Sequence, residues 1–141
     1  MHDDERAIRA LALAYAHHAD RREPELLAEL FEPEGTLRMV WRTGAVAPAV
    51  SRGRKQIARV VGQLGQFATT FHFVGNHAVE VAGDDATGEV YCEAHHVTAE
   101  GGDFVLYIRY LDHYRRTGDG WRFAERETYV EWTEERSAQR S

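Results

Sequence analysis

Residues Thr70 to Val97 read T-F-H-F-V-G-N-H-A-V-E-V-A-G-D-D-A-T-G-E-V-Y-C-E-A-H-H-V. Two runs rich in β-branched and aromatic residues flank Gly83-Asp84-Asp85, the composition of a hairpin turn between two strands. Gly75-Asn76 inside the first run marks a bulge that bends it. Each strand plants a histidine in an apolar stretch. His72 lies between Phe71 and Phe73, where a buried imidazole needs partners for both ring nitrogens. His96 follows Cys92 and Ala94 at period two, so it shares a face with small residues that leave room for a cavity. His95, its neighbour, points to the opposite face as a solvated or interface residue. Histidine titrates near neutrality, so an acid/base pocket lined by these strands is the leading reading.

Working outward, the segments Phe104–Arg116 and Trp121–Trp132 continue the pattern, separated by Glu100-Gly101-Gly102 and Gly118-Asp119-Gly120. Four long strands, Phe71–Val81, Thr87–Ala99 and these two, therefore form an antiparallel meander. Upstream the periodicity is helical. Asp3 or Asp4 caps a first helix with Ile8, Leu11, Tyr15 and Ala19 on one face, ending near Asp20-Arg21-Arg22. Pro24 opens a second helix carrying Leu26, Leu27, Leu30 and Phe31, stopped by Pro33 to Gly35. Thr36–Thr43 reads as a strand with Leu37, Met39 and Trp41 on one side. Gly44–Gly53 reads as a loop and a candidate lid. Ser51 caps a third helix bearing Ile57, Val60, Val61 and Leu64. Helices followed by a meander give an α+β class: three N-terminal helices on a strongly curved antiparallel sheet, a cone with an internal pocket.

The chain has 141 residues, 43% hydrophobic and 11% aromatic, with a formal net charge of −6. That is the size and composition of one globular domain, 1–141, and not of a disordered chain. Scattered arginines interleaved with acids make no basic patch for nucleic acid. No apolar run is long enough to span a bilayer, and Met-His-Asp-Asp-Glu is no signal sequence. With a lone cysteine, Cys92, the expectation is a cytoplasmic protein. His17-His18 diverge on a helix and His95-His96 straddle a strand, so neither pair chelates. No metal and no cofactor are expected. Phosphate-loop and serine-nucleophile motifs are absent.

The chain resembles the nuclear transport factor 2-like, or SnoaL-like, superfamily. The likeness is carried by Tyr15…Asp20, Leu30-Phe31, Thr36-Leu37-Arg38, Phe71-His72-Phe73-Val74-Gly75, Gly83-Asp84…Ala86 and His96-Val97. It continues through Arg109-Tyr110…Asp112…Tyr114-Arg115-Arg116 and Gly120-Trp121-Arg122-Phe123. Within it the chain is similar to cofactor-free dehydratases, such as scytalone dehydratase and bile-acid 7α-dehydratase. The resemblance implies that Asp20 orients His72, that His96 is a second pocket histidine, and that Tyr15 is a substrate-facing phenol. Trp41 stands where scytalone dehydratase has a carbonyl-holding tyrosine, and Ile108 where it has a serine, so that substrate is not expected here. Tyr110 and Asp112 alternate with Leu106 and Ile108. Tyr110 is expected to contact substrate, and Asp112 is a pocket carboxylate or a rim ion pair.

The expected function is a cofactor-independent lyase or isomerase of dehydratase type, acting on a small apolar carbonyl or polycyclic compound. His72 removes a proton, Tyr15 supports the enolate, and His96 protonates a departing hydroxyl. A polyketide-type cyclase is the nearest variant. The alternative class is non-catalytic: a small-ligand binder, or the small subunit of a ring-hydroxylating dioxygenase. Tyr107, Leu111, Val130 and Trp132 are expected on an exposed sheet face and point to a homo-oligomer, trimer before dimer.

Overall fold

The computed structural model describes residues 2–139. Helix α1 (His2–Asp20) and the short α2 (Pro24–Ala28) precede strand β1 (Phe31–Trp41) and the four-residue β2 (Ala49–Arg52). Helix α3 (Gly53–Gly62) runs into a 3₁₀ turn, Gln63–Gln66. Strands β3 (Thr69–Ala82), β4 (Asp85–Val97), β5 (Gly102–Thr117) and β6 (Gly120–Ser137) complete one sheet in the order β2-β1-β6-β5-β4-β3. The expected meander is present, and the helices pack on one face of it. The sheet is mixed rather than purely antiparallel, because β1 returns parallel to β6.

The curvature has identifiable sources. Between Val74 and His77 the β3–β4 register advances by an extra residue at Gly75-Asn76, the bulge expected from sequence. It also reverses the alternation, so His77 points to the same side as His72, opposite the fully buried Val90. Two further irregularities lie in the β5–β6 pairing, at Tyr107/Ile108 and His113/Tyr114. Extra residues on one strand of a pair bend it and increase its twist. At Gly88 β4 has no side chain because Tyr114 crosses it: an added Cβ would lie 2.7 Å from the Tyr114 hydroxyl oxygen.

Several expectations are corrected. The second helix stops at Ala28; Leu30 lies outside it and Phe31 opens β1. Pro33 to Gly35 falls in an outward irregularity of β1, where the register jumps between Phe31 and Thr36. Phe31 is strand because its ring packs against Phe123, with centroids 5.0 Å apart. The expected loop after Gly44 is half strand, since Ala49–Arg52 pairs with Thr36–Met39. Ser51 lies in that strand and caps nothing; Arg52 precedes α3, and its N–H is held by Gln56 Oε1 at 2.9 Å. Strand β6 runs on past Trp132 to Ser137, following the register of β5. Val130 does not belong to the exposed face. The Glu131 bulge moves it inward opposite Ile108, where it is 2% exposed, while Trp132 stays outside and stacks on Tyr107. Phe71 and Phe73 are exposed on that outer face, at 61% and 65%.

At the centre lies an ion pair. Arg126 is fully buried and donates from Nε and Nη2 to the two Asp112 oxygens, at 2.8 and 2.9 Å. Its guanidinium sits over the rings of Tyr15, Tyr110 and Phe123 at 4.4, 3.7 and 4.4 Å. Tyr114 donates to Asp112 at 2.7 Å, so His77 Nε2, 3.0 Å from the Tyr114 oxygen, must carry the hydrogen of that contact. His77 Nδ1 is left buried without a partner. Burial is the main cause that drops the His77 pKa from 6.5 to about 4.

Removing one member of this pair strands a buried charge. Asp112→Asn is expected to destabilise the fold by about 3–5 kcal/mol in urea titrations. Asp112→Leu with Arg126→Met should recover much of that loss. His77 binds fewer protons folded than unfolded between about pH 4 and 6.5. Stability should therefore fall as pH drops through that window, and His77→Gln should flatten the dependence.

Candidate active site

A cavity of about 150 Å³ lies between the helices and the concave face of the sheet. Its apolar lining includes Leu37 and Met39 from β1, Val61 from α3, Leu64 from the 3₁₀ turn, and Leu106 and Ile108 from β5. Its polar lining includes Tyr15, Ser51, His72, His96, Tyr110 and Thr128. A larger groove of about 320 Å³ lies among Phe73, Tyr91, Tyr107, Arg109 and Trp132. It contains no histidine, whereas the smaller cavity holds two imidazoles side by side, so the smaller one is the candidate for histidine acid/base chemistry.

Asp20, the last residue of α1, sits behind His72. Its Oδ1 lies 2.7 Å from His72 Nδ1 and accepts from the Thr70 hydroxyl at 3.0 Å. Its Oδ2 accepts from the His72 backbone N–H at 2.8 Å. A carboxylate at a helix C-terminus is disfavoured by the helix dipole, and these three donors from β3 offset that. Burial works to raise the Asp20 pKa, but the His72 ring, the His72 backbone and Thr70 together hold it below the usual value. An ionised carboxylate only accepts, so His72 Nδ1 carries the hydrogen and Nε2 is the nitrogen free for chemistry. The His72 side chain is 7% exposed.

Tyr15 and Asp20 do not share a helix face, and they need not. Tyr15 reaches the cavity directly, while Asp20 touches His72 from the side and does not line the cavity. Tyr15 is pushed up to about 12, chiefly by burial, so it stays a protonated phenol. His96 packs against His72 with ring centroids 5.8 Å apart and against Phe67 at 5.1 Å. Its Nδ1 lies 3.0 Å from the Phe104 carbonyl, which only accepts, so that nitrogen is the protonated one. Burial, with His72 close by, lowers the His96 pKa. For the expected role of proton donor the ring would have to be charged, and its surroundings oppose that. His95 is its converse. Burial opposes its charge, but Asp103 at 2.6 Å and Glu93 at 2.7 Å raise its pKa.

Ile108 and Tyr110 line the cavity with Tyr15, His72 and His96. Trp41 does not; it is half-buried against the core one step beyond Met39. Asp112 does not line the cavity; it makes the ion pair with an arginine that was one of its two expected roles, but buried against Arg126 rather than at the rim. Sequence reasoning missed Arg126, Thr70 and Ser51. The period-two register of β6 would have turned Arg126 inward with Thr128. Among the described residues no three His, Cys, Asp or Glu side chains converge as metal ligands, and no helix is long and apolar enough to cross a membrane.

The family model for a SnoaL-like domain matches residues 2–127. An uncharacterized protein of Mycobacterium tuberculosis is 30% identical over 127 residues, covering 87% of this chain and 82% of that protein. A candidate scytalone dehydratase of Novosphingobium aromaticivorans superposes with a TM-score of 0.82 at 24% identity, covering 100% of this chain and 95% of the other. The hexachlorocyclohexane dehydrochlorinase LinA-type3 of Novosphingobium barchaimii gives 0.81 at 16% identity, covering 97% and 92%. At these identities the two structures establish a shared fold.

The two adjacent histidines should titrate apart. In an NMR pH titration His96 is expected to titrate below 6.5 and His95 above it. Asp103→Asn should bring His95 down while leaving His96 on the low side.

Proposed function

The chain belongs to the SnoaL-like domain family, and from that premise we propose that it is a cofactor-independent lyase of dehydratase type. The observation that carries the reading is the half-buried Asp20–His72 pair, which leaves Nε2 of the imidazole as the free base beside an apolar cavity. The two structural relatives carry names for dehydration and dehydrochlorination, both eliminations of HX, and those names support the same class of reaction.

The substrate is a small apolar carbonyl compound with a leaving group β to the carbonyl. His72 Nε2 takes a proton from the α-carbon, and the C–H electron pair moves into an enolate. Asp20 holds the ring orientation and stabilises the imidazolium that forms. The Tyr15 phenol donates to the enolate oxygen, its own ring lying against the Arg126 guanidinium. Collapse of the enolate breaks the bond to the leaving group. A departing hydroxide takes the proton back from His72, so water and an α,β-unsaturated carbonyl compound are the products.

Two variants test this. With 3-hydroxycyclohexanone as probe, formation of cyclohexenone is followed by ultraviolet absorbance, and deuterium uptake at the α-carbon by NMR. His72→Ala should lower both by roughly 10²–10⁴-fold. Asp20→Asn should lower them nearly as much, and the double variant little further, because the two act as a unit. Full activity of Asp20→Asn would contradict the proposal.

A further inference from the structure

The lining of the cavity restricts what it can hold, on the reading that this cavity is the site. Its volume of about 150 Å³ is the size of a protein cavity that takes a single benzene ring. No ionic side chain other than the two imidazoles lines it. Asp20 is turned to Thr70 and His72, and Arg126 is tied to Asp112 beneath three aromatic rings. A substrate carboxylate or phosphate would be desolvated there with no cation to meet it, at high cost.

Beside the free Nε2 of His72, the cavity wall presents a second ring nitrogen without a partner, on His96. The residue is 5% exposed, and its Nδ1–H is committed to the Phe104 carbonyl. Among the described residues no donor reaches its Nε2. An unprotonated Nε2 on a cavity wall is a pure acceptor. An apolar ligand that fills the cavity leaves that acceptor dry, whereas a hydroxyl satisfies it. The charged or titratable groups around the ring are His72 from β3, Asp20 from α1 and Asp103 from β5, whose Oδ1 accepts from the His96 backbone N–H at 3.2 Å.

We infer that the cavity selects a neutral single-ring compound bearing a hydroxyl, which His96 Nε2 recognises as a hydrogen-bond acceptor while His72 faces the reacting carbon. His96 is then a specificity-determining residue and not the acid of the reaction. The recognised hydroxyl is distinct from the leaving group, because accepting a hydrogen bond from a leaving hydroxyl would hold it back.

Calorimetric titrations of the whole chain with phenol, toluene, benzoate and 1-naphthol at pH 7.5 test this without requiring turnover. Phenol should bind about tenfold tighter than toluene, the worth of one satisfied acceptor. Benzoate and 1-naphthol should bind far more weakly than phenol. His96→Leu should abolish the advantage of phenol and leave toluene within about twofold. His96→Gln, which presents an amide oxygen, should keep part of the advantage. As pH falls and His96 gains its proton, the wild-type preference should shift from phenol toward benzoate. If His96→Leu does not fold, His96→Gln and the wild-type pH series decide. Benzoate or 1-naphthol binding as tightly as phenol at pH 7.5, an unchanged phenol-to-toluene ratio in His96→Leu, or no binding of any probe would overturn the inference. A phenol preference that depends on His96, found together with a fully active Asp20→Asn, would sink the lyase reading alone.

Discussion

Three hydrogen-bond donors converge on the Asp20 carboxylate, and the site is assembled around that convergence. The hydroxyl of Thr70, the backbone N–H of His72 and the His72 ring all come from one strand, so the end of α1 is fastened to β3 at a single point. β3 is an edge strand of the sheet, paired on one side to β4 only. The contact therefore does two things. It satisfies a carboxylate that the helix end disfavours, and it fixes which nitrogen of His72 is free. One aspartate both orients the imidazole and fixes its tautomer.

The second polar assembly is purely internal. Asp112 and Arg126 neutralise each other under a roof of Tyr15, Tyr110 and Phe123. Two of those rings, Tyr15 and Tyr110, also form the cavity wall. The buried cation thus lies directly behind the phenol best placed to meet developing negative charge. A guanidinium held off the cavity by its own carboxylate polarises that wall while leaving the cavity free of net charge. The same arrangement that makes the interior costly to mutate keeps ionic side chains other than the two imidazoles off the cavity wall.

Much of this was legible in the sequence, for reasons that differ by residue. The strands around Gly83-Asp84 and the bulge at Gly75-Asn76 follow from turn chemistry and alternation, both local signals. His72 and His96 stood out as polar residues in apolar alternation. Phe31 and Val130 were misplaced because local pattern lost to tertiary geometry: stacking on Phe123 in one case, a bulge at Glu131 in the other. For Asp112 an ion pair with an arginine was foreseen, but not its burial or its partner, which is fourteen residues away across a hairpin and which the β5–β6 register places opposite it. The tautomer of His96 was out of reach of sequence, since it depends on one backbone carbonyl, that of Phe104.

The central claim is that Asp20 holds His72 as a base with Nε2 toward the cavity. Long-range ¹H–¹⁵N correlation spectra of the histidine side chains test it most directly, because they report which ring nitrogen bears hydrogen. The account predicts that the unprotonated His72 ring carries its hydrogen on Nδ1 in the wild-type protein, and that Asp20→Asn weakens or reverses that preference. Hydrogen on Nε2 in the wild-type protein, or a tautomer indifferent to the loss of the Asp20 carboxylate, would contradict it.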